Sequence, residues 1–307
     1  MAGICILLSV FFISCLSFGN QDLLNRFIED CIKKQSAMIV VEIGTIKLWD
    51  PKLNTTKSLF EKDEYKYIAS NESILSPSLC FGNKKILYAK NIIGENIGKL
   101  IFLNLLEKKE KLIFENRAMW SPALSADNKK IAYLSDYKKD NLFALFVCEI
   151  NAQKITKIIG NVYGGGYNYN LSWSPDSTAI AYSDADGFLN VIDINTKEIK
   201  KLIKGYNPLF SPDGKQILFS NSQYKPYKPL IYDLASGQTQ NLKAGSDVYN
   251  AIWSPDGKYL IVVKKHTSLK DMLSFNEWGR KVVVYDIAKK EKADLFKYEG
   301  FEYIDLR

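Results

Sequence analysis

Apolar and polar positions along this chain fall into two alternating units. The first is clearest in residues 251–263, AIWSPDGKYLIVV. Pro255 fixes φ at the first corner of a turn, Asp256 suits the second, and Gly257 can take the positive φ that closes a three-residue hairpin. Beyond the turn, Leu260 and Val262 alternate with Tyr259 and Ile261, the period of a strand. Equivalents of Ser254 stand at Cys80, Ser125, Ser174 and Ser211. A large apolar residue precedes each: Leu79, Leu124, Trp173, Phe210, Trp253. Six positions later come Ile86, Ile131, Ile180, Ile217 and Leu260, and eight positions later Tyr88, Tyr133, Tyr182, Phe219 and Val262. The corner that needs φ > 0 holds Asn83, Asn128, Ser177, Gly214 and Gly257, of which Ser177 alone is ill suited.

The second unit is an apolar run, an acid or Asn, and an apolar residue nine positions on. Its pairs are Asp50/Leu59, Asn104/Ile113, Glu149/Ile158, Asp193/Leu202, Asp233/Leu242 and Asp286/Leu295. Each predicts a two-strand hairpin with a polar turn. Two hairpins make a four-stranded sheet, and a period of roughly 45 residues with four strands is that of a propeller blade. The first blade lacks an innermost strand, because no anchor turn precedes residues 38–50. After Ile113 and Leu242 the next anchor lies 12 residues on, and 12 beyond Leu295 is Arg307. Residues 301–306 therefore predict the missing strand. The expectation is an all-β, six-bladed propeller over 38–307, closed by its C-terminal strand so that no sheet edge is left open.

Ahead of it, residues 21–35 predict a helix. Leu23, Leu24, Phe27, Ile28, Cys31 and Ile32 share one face, and the expected role is to cover one end of the propeller. Residues 20–37 form this helical segment, and residues 1–19 predict a cleaved signal peptide. The run 4–18 is uncharged and too short for a span of about 20 residues, and 17–19 offers small residues at the offsets that signal peptidase needs. A periplasmic or secreted product follows; the alternative is a lipid anchor at Cys15, the sole expected membrane attachment.

Composition changes the picture little. The net charge of +7 in 307 residues is scattered rather than gathered in a stripe, which argues against nucleic acid. Cysteines 31, 80 and 148 remain after cleavage, an odd number without CxxC spacing, and predict small buried residues rather than disulfides or a metal site. His266 is the lone histidine, no GxSxG elbow exists, and Asp184-Ala185-Asp186-Gly187 predicts a plain turn rather than a calcium loop. No catalytic residue, metal or cofactor is expected.

The links between hairpins vary in length while the turns within them do not, and in a propeller the variable links share one face. That face is the expected binding face. Its candidates are Tyr163, Tyr167 and Tyr169 beside a glycine hinge, Tyr224 and Tyr227, and His266, Trp278 and Arg280. Tyrosine beside Lys or Arg is the composition of a recognition surface. Tyr169-Asn170, Tyr206-Asn207 and Tyr249-Asn250 stand five and four positions before their anchors. They predict either a polar ring where inner strands begin or tyrosines wedged between blades.

The segments WSPDS at Trp173, FSPDGK at Phe210 and WSPDGK at Trp253, each followed by a strand and a YD or ID hairpin, resemble the WD-like repeats of TolB-type β-propellers. The resemblance covers about residues 38–307. It implies a cell-envelope scaffold; the expected partner is a protein or peptide, and the chain is expected to be a monomer. TolB-type proteins carry an α/β domain before the propeller, whereas only some 20 residues separate the cleavage point from the first blade, so a stand-alone propeller is expected. Two other classes are compatible with the residues: an enzyme acting on glycans or peptidic substrates at the loop face, and a carbohydrate-binding module.

Overall fold

The computed structural model describes residues 20–34, 38–42, 45–58, 72–80, 85–92, 95–136, 142–164, 171–222, 227–242, 247–265, 279–299 and 304–306. Among these residues twenty-four strands form six four-stranded antiparallel sheets. Five of these are each cut from one continuous stretch: β4–β7 (Glu72–Cys80, Lys85–Ile92, Gly98–Asn104, Lys109–Asn116), β8–β11 (Trp120–Leu124, Lys130–Ser135, Leu142–Glu149, Lys154–Tyr163), β12–β15 (Leu171–Trp173, Ala179–Ser183, Phe188–Asp193, Ile199–Lys204), β16–β19 (Tyr206–Phe210, Gln216–Ser220, Pro229–Asp233, Thr239–Asn241) and β20–β23 (Val248–Trp253, Tyr259–Lys265, Gly279–Asp286, Glu291–Glu299). So the chain contains five complete blades in succession, not six equivalent ones. The remaining sheet is composite. It pairs β24 (Ile304–Leu306) with β1 (Met38–Glu42), followed by β2 (Thr45–Asp50) and β3 (Thr55–Ser58). Met38 lies opposite Leu306 and Val40 opposite Ile304. The pairing strand is thus the last part of the expected stretch; residues 301–303 lie outside the described residues.

The turns follow the sequence logic and add to it. At each of four anchors the serine hydroxyl donates to the aspartate two residues on and accepts the backbone N–H five residues on: Ser125 with Asp127 and Lys130, Ser174 with Asp176 and Ala179, Ser211 with Asp213 and Gln216, Ser254 with Asp256 and Tyr259. Asn128, Ser177, Gly214 and Gly257 all take positive φ. Ser177 does so at 61°, and its hydroxyl accepts the N–H of Asp127 from the preceding blade at 3.0 Å. In the second hairpin the side chains of Asp50, Asn104, Asp193, Asp233 and Asp286 accept backbone N–H groups two or three residues ahead, which is why Asp or Asn stands at these five positions. Four positions after the acid, Asn54, Lys108, Gln153, Lys197, Gly237 and Lys290 all have positive φ.

One helix, α1 (Gln21–Lys34), begins at Asn20, whose side chain accepts the N–H of Leu23 at 3.0 Å as an N-cap. It packs beside the turns of the last complete blade and the composite sheet. Leu23, Phe27 and Cys31 join Met38, Trp49, Ile261, Val282 and Leu295 in one core. Phe27 stacks on Trp49 with ring centres 5.9 Å apart and meets Tyr259 edge-on at 5.4 Å. Arg26 pairs with Asp286 and Glu291 at 3.2 Å each, Lys34 with Asp256, and Lys258 with Asp30. The helix therefore ties the composite sheet to its neighbour in addition to the strand pairing. No helix among the described residues is long and apolar enough to cross a membrane. Residues 1–19, with Cys15, lie outside the described residues.

Candidate functional site

Both kinds of turn lie at one end of the sheets, and the links between hairpins lie at the other. At the link end the inner strands share an irregularity that the sequence does not announce. The register shifts by one residue between Leu75 and Ser78 in β4, Trp120 and Ala123 in β8, Tyr206 and Leu209 in β16, and Val248 and Asn250 in β20. A bulge of this kind takes a residue out of the ladder and re-aims its side chain. In β8 and β16 the residue four positions before the anchor also has positive φ: Ser121 at 49° and Asn207 at 55°. Asn tolerates that conformation because its short polar side chain can bond locally. Tyr206-Asn207 and Tyr249-Asn250 thus stand at two of these four bulges.

Asn207 and Asn250 come together. With Leu209, Leu218, Phe219, Ser220, Tyr227, Pro229, Val248 and Ala251 they line a cavity of about 30 Å³ between the two sheets that follow one another at this point in the chain. Asn250 is 5% exposed, and its Oδ1 accepts the N–H of Ala251 at 2.8 Å. That bond leaves Nδ2 as the free end of the amide, and Nδ2 is buried without a hydrogen-bond partner. Asn207 Oδ1 is likewise buried without one. Tyr227 is buried, and its N–H donates to Val248 O at 2.7 Å, which bridges the link of one blade to the inner strand of the next. The Ser220 hydroxyl is occupied by Ser222 O at 2.9 Å. Among the described residues that line it, the cavity has no carboxylate, histidine or lysine. Its described lining is mostly apolar, with Asn207, Ser220, Tyr227 and Asn250 as the residues with polar side chains.

The other candidates meet in pairs. Tyr163 packs edge-on against Tyr206, ring centres 5.3 Å apart. Gly187 makes room for that pair: a Cβ there would come within 2.3 Å of the Tyr206 hydroxyl, and its φ of 75° favours glycine in any case. The Arg280 guanidinium lies 4.2 Å from the centre of the Tyr249 ring, a cation–π contact, and donates to Gly279 O at 3.0 Å. Arg280 is 4% exposed, so it is a buried strut of this face rather than a projecting cation. Tyr167, Tyr169, Asn170, Tyr224, His266 and Trp278 lie outside the described residues. Lys264, at the same end of β21, has its pKa lowered by burial and by the nearby charges of Lys292 and Lys281.

Sequence reasoning missed Leu209, Ser220, Pro229 and Val248, which reach the cavity only because separate blades pack side by side. The signal available was the offset of Asn207 and Asn250 from their anchors, read as the site of a bulge. At Asp184, Oδ1 accepts the N–H groups of Asp186 and Phe188, and Oδ2 accepts Asn190 Nδ2, so the carboxylate closes a turn. Among the described residues no group of three His, Cys, Asp or Glu side chains could hold a metal ion.

Comparison with known proteins places this geometry in a family. The TolB beta propeller domain family matches residues 106–291, more than half of the chain. The chain belongs to that family. It resembles the crystal structure of TolB from Acinetobacter baumannii with a TM-score of 0.66 and 16% identity, covering 88% of this chain and 66% of that one. It resembles putative TolB from Agrobacterium tumefaciens with a TM-score of 0.62 and 15% identity, covering 86% and 90%. The chain thus spans just under two thirds of the first TolB and most of the second. An oligogalacturonate lyase solved in complex with manganese shares the fold at a TM-score of 0.53 and 14% identity, covering 85% of this chain and 72% of that one. No curated protein matches the sequence. Among the described residues, four-stranded antiparallel blades and one short helix are the architecture of this family member.

Proposed function

We propose that this chain is an exported six-bladed TolB-type propeller, its composite sheet serving as the sixth blade, and that it binds a protein or peptide partner in the cell envelope through its link face without catalysing a reaction. The observation that carries the reading is the link-face cavity, whose described lining is apolar apart from Asn207, Ser220, Tyr227 and Asn250 and includes no carboxylate, histidine or lysine. Such a site can hold a ligand but offers no proton transfer. Family membership and the likeness to two TolB structures support a scaffold. The likeness to a lyase of the same fold keeps an enzyme acting on glycans as the second reading. In this proposal residues 1–19 are removed on export, 20–37 form the helical segment, and the propeller acts as a monomer.

The test is a pull-down from envelope extract with the wild-type chain and a Tyr167→Ala/Tyr249→Ala/Trp278→Ala variant. A partner retained by the wild type and lost by the variant is the expected result. If both retrieve the same proteins, the link face is not the binding face. Release of unsaturated sugar from oligogalacturonate would favour the enzyme instead.

A further inference from the structure

Among the described residues the exposed large apolar side chains are Ile32, Leu53, Leu106, Leu112, Ile155 and Ile199. All belong to the turn end. Ile32 is on α1, which packs over that end. Leu53 and Leu106 lie in second-hairpin turns, and Leu112, Ile155 and Ile199 lie in the first half of the outer strands that leave such turns. The two turn leucines stand out. Leu106 is 85% exposed and Leu53 70% exposed, at the tips of two neighbouring sheets, β4–β7 and the composite sheet. The other four turns hold Asn151-Ala152, Asn195-Thr196, Ala235-Ser236 and Ala288-Lys289 at the equivalent places. The turn itself does not call for leucine, because its bonds run from backbone N–H groups to Asp50 and Asn104. Charge beside the leucines is lopsided. Lys52, Lys57, Lys108, Lys109 and Lys111 are exposed, and none forms an ion pair among the described residues. Of the acids in the same two stretches, Asp50 is turned to the N–H groups of Lys52 and Leu53, and Glu110 to the Tyr88 hydroxyl and Lys90. Glu107 is the remaining one.

We infer that the turn end seats this propeller on an anionic lipid surface, with Leu53 and Leu106 entering the headgroup layer and the lysines beside them meeting lipid phosphates. The geometry favours lipid over protein. The exposed apolar groups stand on separate turns and strands, whereas the centre of a protein interface is one well-packed apolar patch. A fluid headgroup layer closes around separate protruding side chains, and it attracts lysines that lay an apolar stem along it and keep a charged tip at the phosphates. A second copy of this chain, joined through the same patch, would set lysine against lysine. Seated in this way, the link face points away from the lipid and stays open to the partner proposed above.

Vesicle sedimentation tests this on the exported chain of the preceding section, without residues 1–19, so that the apolar leader adds no binding of its own. The probes are vesicles of phosphatidylcholine with about 30% phosphatidylglycerol and vesicles of phosphatidylcholine alone. Saturable binding to the anionic vesicles is expected, at least about tenfold weaker on neutral ones and weakened again when NaCl rises from about 0.05 to 0.5 M. Leu53→Ser/Leu106→Ser should lower binding at least about tenfold. Lys52→Gln/Lys108→Gln/Lys109→Gln should do the same on anionic vesicles only; glutamine suits the positive φ at 108, since Gln153 adopts it at the equivalent place. Both variants change exposed side chains, so their thermal melts should match the wild type. Unchanged binding by the leucine variant overturns the inference, and so does the absence of binding to anionic vesicles at about 1 mM lipid. An envelope protein that the wild type retrieves and the leucine variant loses would give the tips to a protein partner, and a dimer lost by that variant in gel filtration would give them to a second copy; either result overturns it as well. The pull-down through the link face reads the opposite end of the molecule, so failure of one assay leaves the other standing.

Discussion

The two ends of this propeller differ in how completely their polar groups are matched. At the turn end, every anchor serine among the four described meets both a carboxylate and a backbone N–H, and the second-hairpin acids at Asp193 and Asp233 close on their own turns. Helix α1 covers part of that end with apolar and ionic contacts. At the link end, the inner strands break register, and two asparagines of neighbouring blades keep a donor and an acceptor buried without partners. The difference teaches where each end's polar residues act. Those of the turn end complete the fold, and at the link end Asn91, Asp184 and Arg280 do the same, while Asn207 Oδ1 and Asn250 Nδ2 are buried without contributing a bond.

The strongest way to break the comparison is to strike the turn end. Phe27 is fully buried between Trp49 and Tyr259. Phe27→Ala removes a large side chain from a core shared by the helix, the composite sheet and the last complete blade, and should cost about 3–5 kcal/mol in urea unfolding. A cost below about 1 kcal/mol would mean that α1 is an ornament, and that closure rests on β24 alone.

Next comes the turn chemistry itself. Ser211→Ala removes the hydroxyl that donates to Asp213 at 2.6 Å and accepts the Gln216 N–H at 2.9 Å. The expected loss is about 1–2 kcal/mol, with the equivalent change at Ser174 similar. The same aspartates give a pH signature. The hydroxyl of Ser174 holds Asp176 below its usual pKa, that of Ser211 does so for Asp213, and backbone N–H groups at Thr196 and Ser236 hold Asp193 and Asp233 low. Burial opposes ionisation at Asp256, but Lys34 and Ser254 overcome it. A depressed folded-state pKa means that the unfolded chain binds more protons. Stability from these groups is therefore whole above the unfolded carboxylate value of about 4 and is lost as pH falls through the folded values. The urea midpoint should be level from about pH 7 to 5 and drop below about 4, and the drop should be smaller in Ser211→Ala.

How much of this was legible follows from how local each feature is. The anchor turn, its positive-φ corner and the alternating strands depend on residues within about a dozen positions of each other, so the period could be read from residues such as Trp253, Gly257 and Leu260. The composite closure was legible from arithmetic on Leu295 and Arg307. The φ of Lys108 and Lys290 was not, because their type argues against it and the Asx turns of Asn104 and Asp286 ahead of them impose it. The cavity was half legible. Asn207 and Asn250 stood at equivalent offsets, but the contacts of the tyrosines beside them depend on which strands pack together: Tyr206 meets Tyr163 of another sheet, and Tyr249 lies beneath Arg280 of its own.

The smallest expected effect on stability sharpens the comparison furthest. Asn207 sits at φ 55°, a conformation that glycine adopts without strain, and its Oδ1 is buried without a partner. Removing a hydroxyl at Ser211 strips two bonds; removing the amide at Asn207 strips none from Oδ1 and relieves the desolvation of that atom. Asn207→Gly should therefore change unfolding free energy by no more than about 0.5 kcal/mol, since glycine's extra unfolded-state entropy and the relief at Oδ1 oppose each other. A loss as large as that of Ser211→Ala would show that Asn207 holds the bulge together, and the contrast between the two ends would then be one of geometry rather than of purpose.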